Sequence, residues 1–150
     1  MISQKRLAQN WFFKGFSQTQ IATLLGLAQQ ASYTAGEKVV VEGEPAASFH
    51  ILVQGVVSIK MQMEGHGEMV LGILKQTGEI FGWSALVEGG RSTATAESLK
   101  DSKILSFKRE DLENLFARDP LLGYCFMRRL AGLISHRLQS TRALLLKQIS

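Results

Sequence analysis

The chain has 150 residues, a length usual for one domain, with 45% hydrophobic and 20% charged residues, as in globular proteins. Its net charge is +4, and residues 99–150 carry the basic excess, with ten Lys and Arg against five Asp and Glu. No segment has the roughly 20 apolar residues of a membrane span, and the first ten residues lack the apolar core of a signal peptide. We therefore expect a single cytoplasmic domain, residues 1–150, that does not enter a membrane.

The first part of the chain, residues 1–30, is predicted to be helical. Ser17–Gln20 has the form of a capping box, in which two backbone N–H groups are bonded by the Ser and Gln side chains. Apolar residues at helical spacing follow in Ile21–Leu25, and Gly26 is expected to end the helix. The aromatic residues of Trp11–Phe16 are expected to seal the end of a sheet, or else to form an interaction surface.

The middle part, residues 32–108, is predicted to form a small β-barrel or jelly roll, because short apolar runs alternate with glycines at roughly ten-residue spacing. Glu64–Gly67 has the composition of a hairpin tip. The expected strands are Lys38–Val41, Ser48–Gln54, Val56–Met63, Met69–Leu74, Ile80–Phe81, Ser92–Ala96 and Lys103–Phe107.

Residues 109–150 are predicted to form two helices. The first covers Arg109–Ala117, and Asp119 and Pro120 then supply the N-cap and the first residue of a long helix. Apolar residues recur along it at alternating spacings of four and three residues, as in a coiled-coil seam. Because a barrel of this size cannot cover the far end of that helix, we expect a homodimer through residues 127–145. The seam comprises Met127, Ala131, Ile134, Leu138, Thr141 and Leu145.

Catalytic chemistry is not expected from this set of residues. His50, His66 and His136 lie in three different predicted elements, without the convergent ligands that a cupin-like metalloenzyme requires. Gly82–Leu86 resembles a nucleophile elbow but lacks its final glycine and its strand-to-helix setting. The single cysteine, Cys125, excludes an internal disulfide, fits a reducing compartment and is expected to be inert. We predict no catalytic residue, no metal site and no cofactor.

One loop has the composition of an anion site. Gly82, Ser84 and Ala85 allow a tight turn whose N–H groups can converge on an anion. Arg91 follows a Gly-Gly reversal and can add a guanidinium, and Ser92 can add a hydroxyl. The residues alone therefore predict a phosphate-binding loop in this segment.

The order of helix, β-roll, phosphate loop and long helix resembles the cyclic-nucleotide-binding domain of the catabolite activator and fumarate–nitrate regulator superfamily. Matching motifs are Tyr33–Glu37, Glu42–Glu44, Phe49–Gly55, Phe81-Gly82 and Arg91-Ser92. The resemblance implies a mainly β fold, a jelly-roll-like β-roll with N-terminal helices and a long C-terminal helix. It also implies a sensor domain that binds a cyclic nucleotide, cyclic AMP or cyclic GMP, and signals through that helix.

The resemblance assigns the ligand-binding residues position by position. Gly82 matches the family glycine, Ala85 the residue whose amide meets the phosphate, Arg91 the arginine and Ser92 the hydroxyl. Thr141 matches the threonine that contacts the adenine amino group. The chain stops at Ser150, before the DNA-binding module that regulators of this superfamily carry, so DNA binding is not expected.

Trp83 departs from the family pattern, because it stands where a glutamate accepts the hydrogen bond of the ribose 2′-OH. An indole has one donor and no acceptor, so this contact is lost. The loss costs about 1–3 kcal/mol, or about 5- to 150-fold in affinity. We therefore expect a weakly bound cyclic nucleotide or another anionic ligand. The alternative is a ligand-free protein-interaction module on the same fold.

Overall fold

The computed structural model describes residues 2–87 and 89–149, and it begins with helices. Helix α1 covers Gln4–Ala8, a 3-10 turn covers Trp11–Phe13, and helix α2 covers Gln18–Leu27. The predicted capping box is confirmed: Gln20 N–H donates to Ser17 Oγ over 3.1 Å, and Ser17 N–H donates to Gln20 Oε1 over 2.9 Å. The expected end at Gly26 is wrong by one residue, because Ala28 N–H closes the last turn on the Leu25 carbonyl.

An antiparallel sheet of six strands follows and forms the predicted β-roll. Along the sheet the strands are ordered β1-β6-β3-β4, while β2 pairs with β6 and β5 pairs with β3. The expected hairpin tip at residues 64–67 lies between β3 and β4. The strands are β1 Gln29–Tyr33, β2 Lys38–Val40, β3 Ser48–Met63, β4 Gly67–Leu74, β5 Ile80–Phe81 and β6 Thr95–Lys108.

The structure places β1 where the sequence predicted the end of the helical region. Gln29–Tyr33 has no apolar alternation, and its place in the sheet comes from antiparallel pairing with β6, from Gln29 opposite Ser106 to Tyr33 opposite Ser102. Pairing with a distant strand outweighs local propensity here. The sheet therefore begins at residue 29 instead of residue 32.

Two pairs of predicted strands are each one continuous strand. Ser48–Gln54 and Val56–Met63 are joined in β3 through a bulge at Gly55, whose φ of 115° suits glycine. A Cβ at Gly55 would lie 2.1 Å from Ser102 Oγ, so the close approach of β6 also requires glycine there. The predicted strands Ser92–Ala96 and Lys103–Phe107 similarly belong to β6, which begins only at Thr95.

Two apolar clusters lie on opposite sides of the sheet. The larger one joins the helices to the outer face of the roll, and Phe12, Phe49 and Phe126 form its centre, with ring centroids 5.0–6.0 Å apart. The smaller one fills the inside of the roll around Leu52, Phe81 and Ile104. The aromatic segment at residues 11–16 therefore packs against the sheet, which agrees with the first of its two predicted roles, covering a sheet, and not with an interaction surface.

Two helices complete the chain: α3, Arg109–Arg118, and α4, Pro120–Ile149. Asp119 caps α4 as predicted, because Leu122 N–H donates to Asp119 Oδ1 over 3.1 Å. The first half of α4 packs on α3 and the roll, and the second half projects beyond the roll with exposed side chains. Within the described ranges, no helix is long and apolar enough to cross a bilayer.

Candidate functional site

The phosphate loop predicted from the sequence lies directly after β5. Gly82 has a φ of 76°, and a Cβ there would lie 2.7 Å from His50 Cδ2 and 3.2 Å from the Ser48 carbonyl oxygen. Only glycine accommodates both the backbone angle and the close approach of β3. The 3-10 turn Trp83–Leu86 follows, and its Ala85 N–H donates to the Gly82 carbonyl over 3.3 Å.

A small pocket opens between this loop, the start of β6 and helix α4. Its volume is about 60 Å³, well below the roughly 300–1,000 Å³ usual for small-molecule sites. The structure thus brings Gly82, Trp83, Ser84 and Ser92 together, whereas the predicted Ala85 is buried and does not line the pocket, because its N–H is bonded within the turn to the Gly82 carbonyl. The lining residues are Val40, Ile59, Phe81, Gly82, Trp83, Ser84, Ser92, Thr93, Ala94, Thr95, Ala96 and Arg137.

Arg137 of α4 reaches into this pocket. Its guanidinium lies 5.3 Å from the centre of the Trp83 ring and donates to the Ile80 carbonyl over 3.4 Å. Burial lowers the pKa of Arg137, and Glu79 partly opposes this effect. The three ion pairs found among the described residues do not include Arg137. A partly buried cation with no carboxylate at ion-pair distance among the described residues, and with Glu79 acting on it only from further away, favours a bound anion in this pocket.

Arg91 and Thr141, the other two residues assigned by the resemblance, do not line the pocket. The Arg91 side chain is exposed and donates to the Gly43 carbonyl over 2.8 Å, because a bridge between Pro45 and Arg91 places it against that segment. Thr141 is exposed beyond the roll, and its hydroxyl donates to the Arg137 carbonyl over 3.0 Å. Within a single copy of the chain, the cation that lines the pocket therefore comes from α4 and not from the phosphate loop.

His50 forms the wall behind Gly82. It is buried, its ring stacks on Phe81 with centroids 5.0 Å apart, and its Nδ1 lies 2.7 Å from Ser106 Oγ. Burial lowers the pKa of His50 to about 4, so the imidazole is neutral at pH 7. Across residues 2–87 and 89–149, no group of three His, Cys, Asp or Glu side chains is arranged to hold a metal ion.

Sequence reasoning did not select Arg137 and Ile59 as site residues. Arg137 was counted in the basic excess of the C-terminal region and begins the stretch 137–141 that the resemblance matches, but it was given no role, and nothing in a single sequence distinguishes it from its exposed neighbours. Ile59 belongs to the alternating segment of β3, so its inward direction could have been derived from that alternation. The distinguishing feature of Arg137 is its contact with Trp83, 54 positions away in the chain, which only the fold creates.

Fold and pocket together define a β-roll domain with flanking helices and a long C-terminal helix. The sequence profile of the cyclic nucleotide-binding domain matches residues 30–119. The chain therefore belongs to the cyclic nucleotide-binding domain family. The matching family is one of regulatory binding domains and not of enzymes.

The chain is related to regulators of the catabolite activator type. It is 28% identical over 127 residues to the cyclic AMP receptor protein of Thermus thermophilus. The aligned region covers 85% of this chain and 56% of that protein. The chain thus spans about half the length of the curated relatives that it matches first.

Solved structures have the same fold. A cyclic nucleotide-binding domain from Methylobacillus flagellatus superposes with a TM-score of 0.86 at 19% identity, covering 97% of this chain and 81% of that one. The catabolite activator protein of Thermus thermophilus superposes with a TM-score of 0.76 at 27% identity. This superposition covers 92% of the present chain and 62% of the other one. These comparisons confirm the predicted β-roll with flanking helices and a long C-terminal helix.

Proposed function

We propose that this domain senses a cyclic nucleotide or a similar anionic ligand, bound weakly in the pocket of the phosphate loop. The observation that carries the proposal is Arg137, a partly buried guanidinium that lines the pocket with no carboxylate at ion-pair distance in the described chain. An anion there would be stabilised by a charge-assisted hydrogen bond. The hydroxyls of Ser84 and Ser92 line the same pocket and can donate to the ligand.

The position of Arg137 also provides a route for signalling. An anion that draws the guanidinium away from the Trp83 ring and the Ile80 carbonyl would change how α4 is held on the roll. A ligand shifts such an equilibrium only through a difference in affinity between the two arrangements. We therefore propose that ligand binding is transmitted through α4.

The second half of α4 is proposed to form a homodimer. Leu138 and Leu145 are 50% and 56% exposed, and Met127 also faces solvent along the same seam. Apolar residues at this spacing are those that pair in a coiled coil. A second copy of the chain would cover the seam through residues 127–145.

Calorimetric titration of the full chain with cyclic AMP tests the ligand proposal. Substitution Arg137→Gln is expected to weaken binding at least about tenfold, because the anion loses its buried cation. Arg142→Gln removes the same charge from an exposed site on the same helix and is the matched control. An additional Arg91→Gln variant tests the role implied by the family resemblance. An unchanged affinity in the Arg137→Gln variant would contradict the assignment of the anion site.

A ligand-free interaction module is the second candidate, and the small pocket favours it. Trp83 and Arg137 fill the region where a ligand would lie, and only about 60 Å³ remains. This candidate predicts that millimolar cyclic AMP and cyclic GMP leave the melting temperature unchanged, whereas a bound ligand would raise it.

A further inference from the structure

A second and larger cavity lies beside the pocket of the phosphate loop and is partly open to solvent, since lining residues such as Gln29, Ala31 and Ala47 are exposed. Its volume is about 480 Å³, within the roughly 300–1,000 Å³ range of small-molecule sites. Strands β1, β3 and β6 form one side of it, and residues 38–47 form the other. Val40 and Ser92 line both this cavity and the smaller pocket, so the two are adjacent.

The larger cavity has an aliphatic wall and a polar wall. Residues 39–41 and Ala46 supply small apolar side chains on one side. Ser48, His50 and Ser106 supply two hydroxyls and an imidazole on the other. A ligand with one apolar face and several hydroxyl groups would match both walls, because small-molecule sites combine apolar lining with a few polar groups that orient the ligand.

His50 contributes a buried imidazole to the lining of this cavity. Its Nδ1 lies 2.7 Å from Ser106 Oγ, so the imidazole and this hydroxyl hold each other in place on the polar wall. The residue is only 6% exposed, so bulk water has little access to it. The imidazole is neutral at pH 7, since burial lowers its pKa to about 4. A neutral imidazole offers one donor and one acceptor and no charge.

Charge excludes an anion from the larger cavity. Its two charged lining residues, Lys38 and Glu44, are both exposed and of opposite sign. A phosphate there would therefore find no buried cation to pair with. The smaller pocket has the opposite character, because Arg137 lines it.

We propose that the larger cavity binds an uncharged, hydroxyl-bearing small molecule of monosaccharide or nucleoside size. This site is separate from the proposed anion site, and the two can be tested independently.

Calorimetric titrations with two matched pairs of compounds test the proposal, and they use the full chain carrying Arg137→Gln so that the proposed anion site does not bind the charged probes. Glucose and adenosine are the uncharged probes, and glucose 6-phosphate and adenosine 5′-monophosphate are their charged counterparts. At least one uncharged probe is expected to bind with a Kd below about 1 mM, and its phosphorylated counterpart at least about tenfold more weakly. Absence of binding by both uncharged probes at about 10 mM, or equal affinity for the phosphorylated compound, would overturn the proposal.

Variants locate the site. Ala31 lines the cavity from the exposed strand β1, so Ala31→Leu fills the cavity without removing a polar group, and should weaken binding at least about tenfold. Ser106→Ala removes one hydroxyl and should weaken binding about fivefold. Leu144→Ala, on the exposed end of α4, is the control, and melting curves verify that each variant folds. Ligand-induced amide shifts at residues 82–85, with none at Ala31 or Ser106, would place the ligand in the smaller pocket and overturn the proposal.

Discussion

The two halves of helix α4 have opposite surroundings although they belong to one continuous helix. In the first half, Leu122, Phe126 and Leu130 are at most 1% exposed and pack into the larger core. In the second half, Leu138 is 50% and Ile149 is 74% exposed. An apolar residue stabilises a helix only where something covers it. The first half therefore holds the helix on the roll, while the second half is available for a partner.

The largest expected difference between the halves concerns stability. Phe126 packs against Phe12, Phe49 and Phe116 with centroids 5.0–5.3 Å apart. Phe126→Ala should leave a cavity and lower the free energy of unfolding by about 3–5 kcal/mol. Leu144→Ala, in the exposed half, should change it by less than about 0.5 kcal/mol. Urea denaturation followed by circular dichroism measures both, and equal losses would show that the second half is also held by its own roll.

The next largest effect concerns assembly. Leu138 lies on the predicted seam, so Leu138→Glu places a charge in the proposed interface and should weaken the dimer by about 100-fold or more. Gln139→Glu adds the same charge one residue away, off the seam, and should leave the dimer intact. Light scattering at tens of micromolar measures the mass of each. A monomeric mass for the unsubstituted protein would refute the proposed dimer.

The third prediction concerns Trp83, which contacts α4 where its packed half ends. Replacing the ring by a carboxylate, Trp83→Glu, enlarges the pocket and supplies an acceptor for a ribose 2′-OH. Binding of cyclic AMP should tighten about tenfold, equivalent to about 1.4 kcal/mol.

Two controls separate the acceptor from the added space. Trp83→Leu opens the pocket without an acceptor and should gain less affinity. A 2′-deoxy analogue should benefit little from Trp83→Glu, since it has no hydroxyl to satisfy. If the unsubstituted protein already strongly prefers the ribose form, another residue supplies the acceptor.

The smallest expected effect uses one substitution at two glycines of α4. Alanine in place of glycine favours a helix by about 1 kcal/mol. At Gly132 the new Cβ would lie 3.7 Å from Trp11, an ordinary contact, so Gly132→Ala should stabilise the protein by about 0.5–1 kcal/mol. At Gly123 the new Cβ would lie 2.9 Å from Phe116 Cβ. Gly123→Ala should therefore destabilise it, and thermal unfolding of both variants compares the signs.

Local chemistry made several features predictable. The capping box at Ser17–Gln20, the N-cap at Asp119 and the hairpin tip at residues 64–67 depend on residues within three positions of each other. The glycine at position 82 was also predictable as part of a tight turn. Strand β1 was not, because its residues have no alternation and its place comes from pairing with β6, about 70 positions away.

The amino-acid sequence by itself determined the fold class, the order of elements and the loop at Gly82–Ser92, since periodicity, caps and turn residues act over short distances. Tertiary structure alone decided which charge faces the pocket. Arg91 lies in the predicted loop but is bonded to Gly43, whereas Arg137 reaches the pocket from α4. Two arginines are chemically equivalent in a sequence. They differ here only because packing of α4 on the roll buries one guanidinium against Trp83 and leaves the other in solvent.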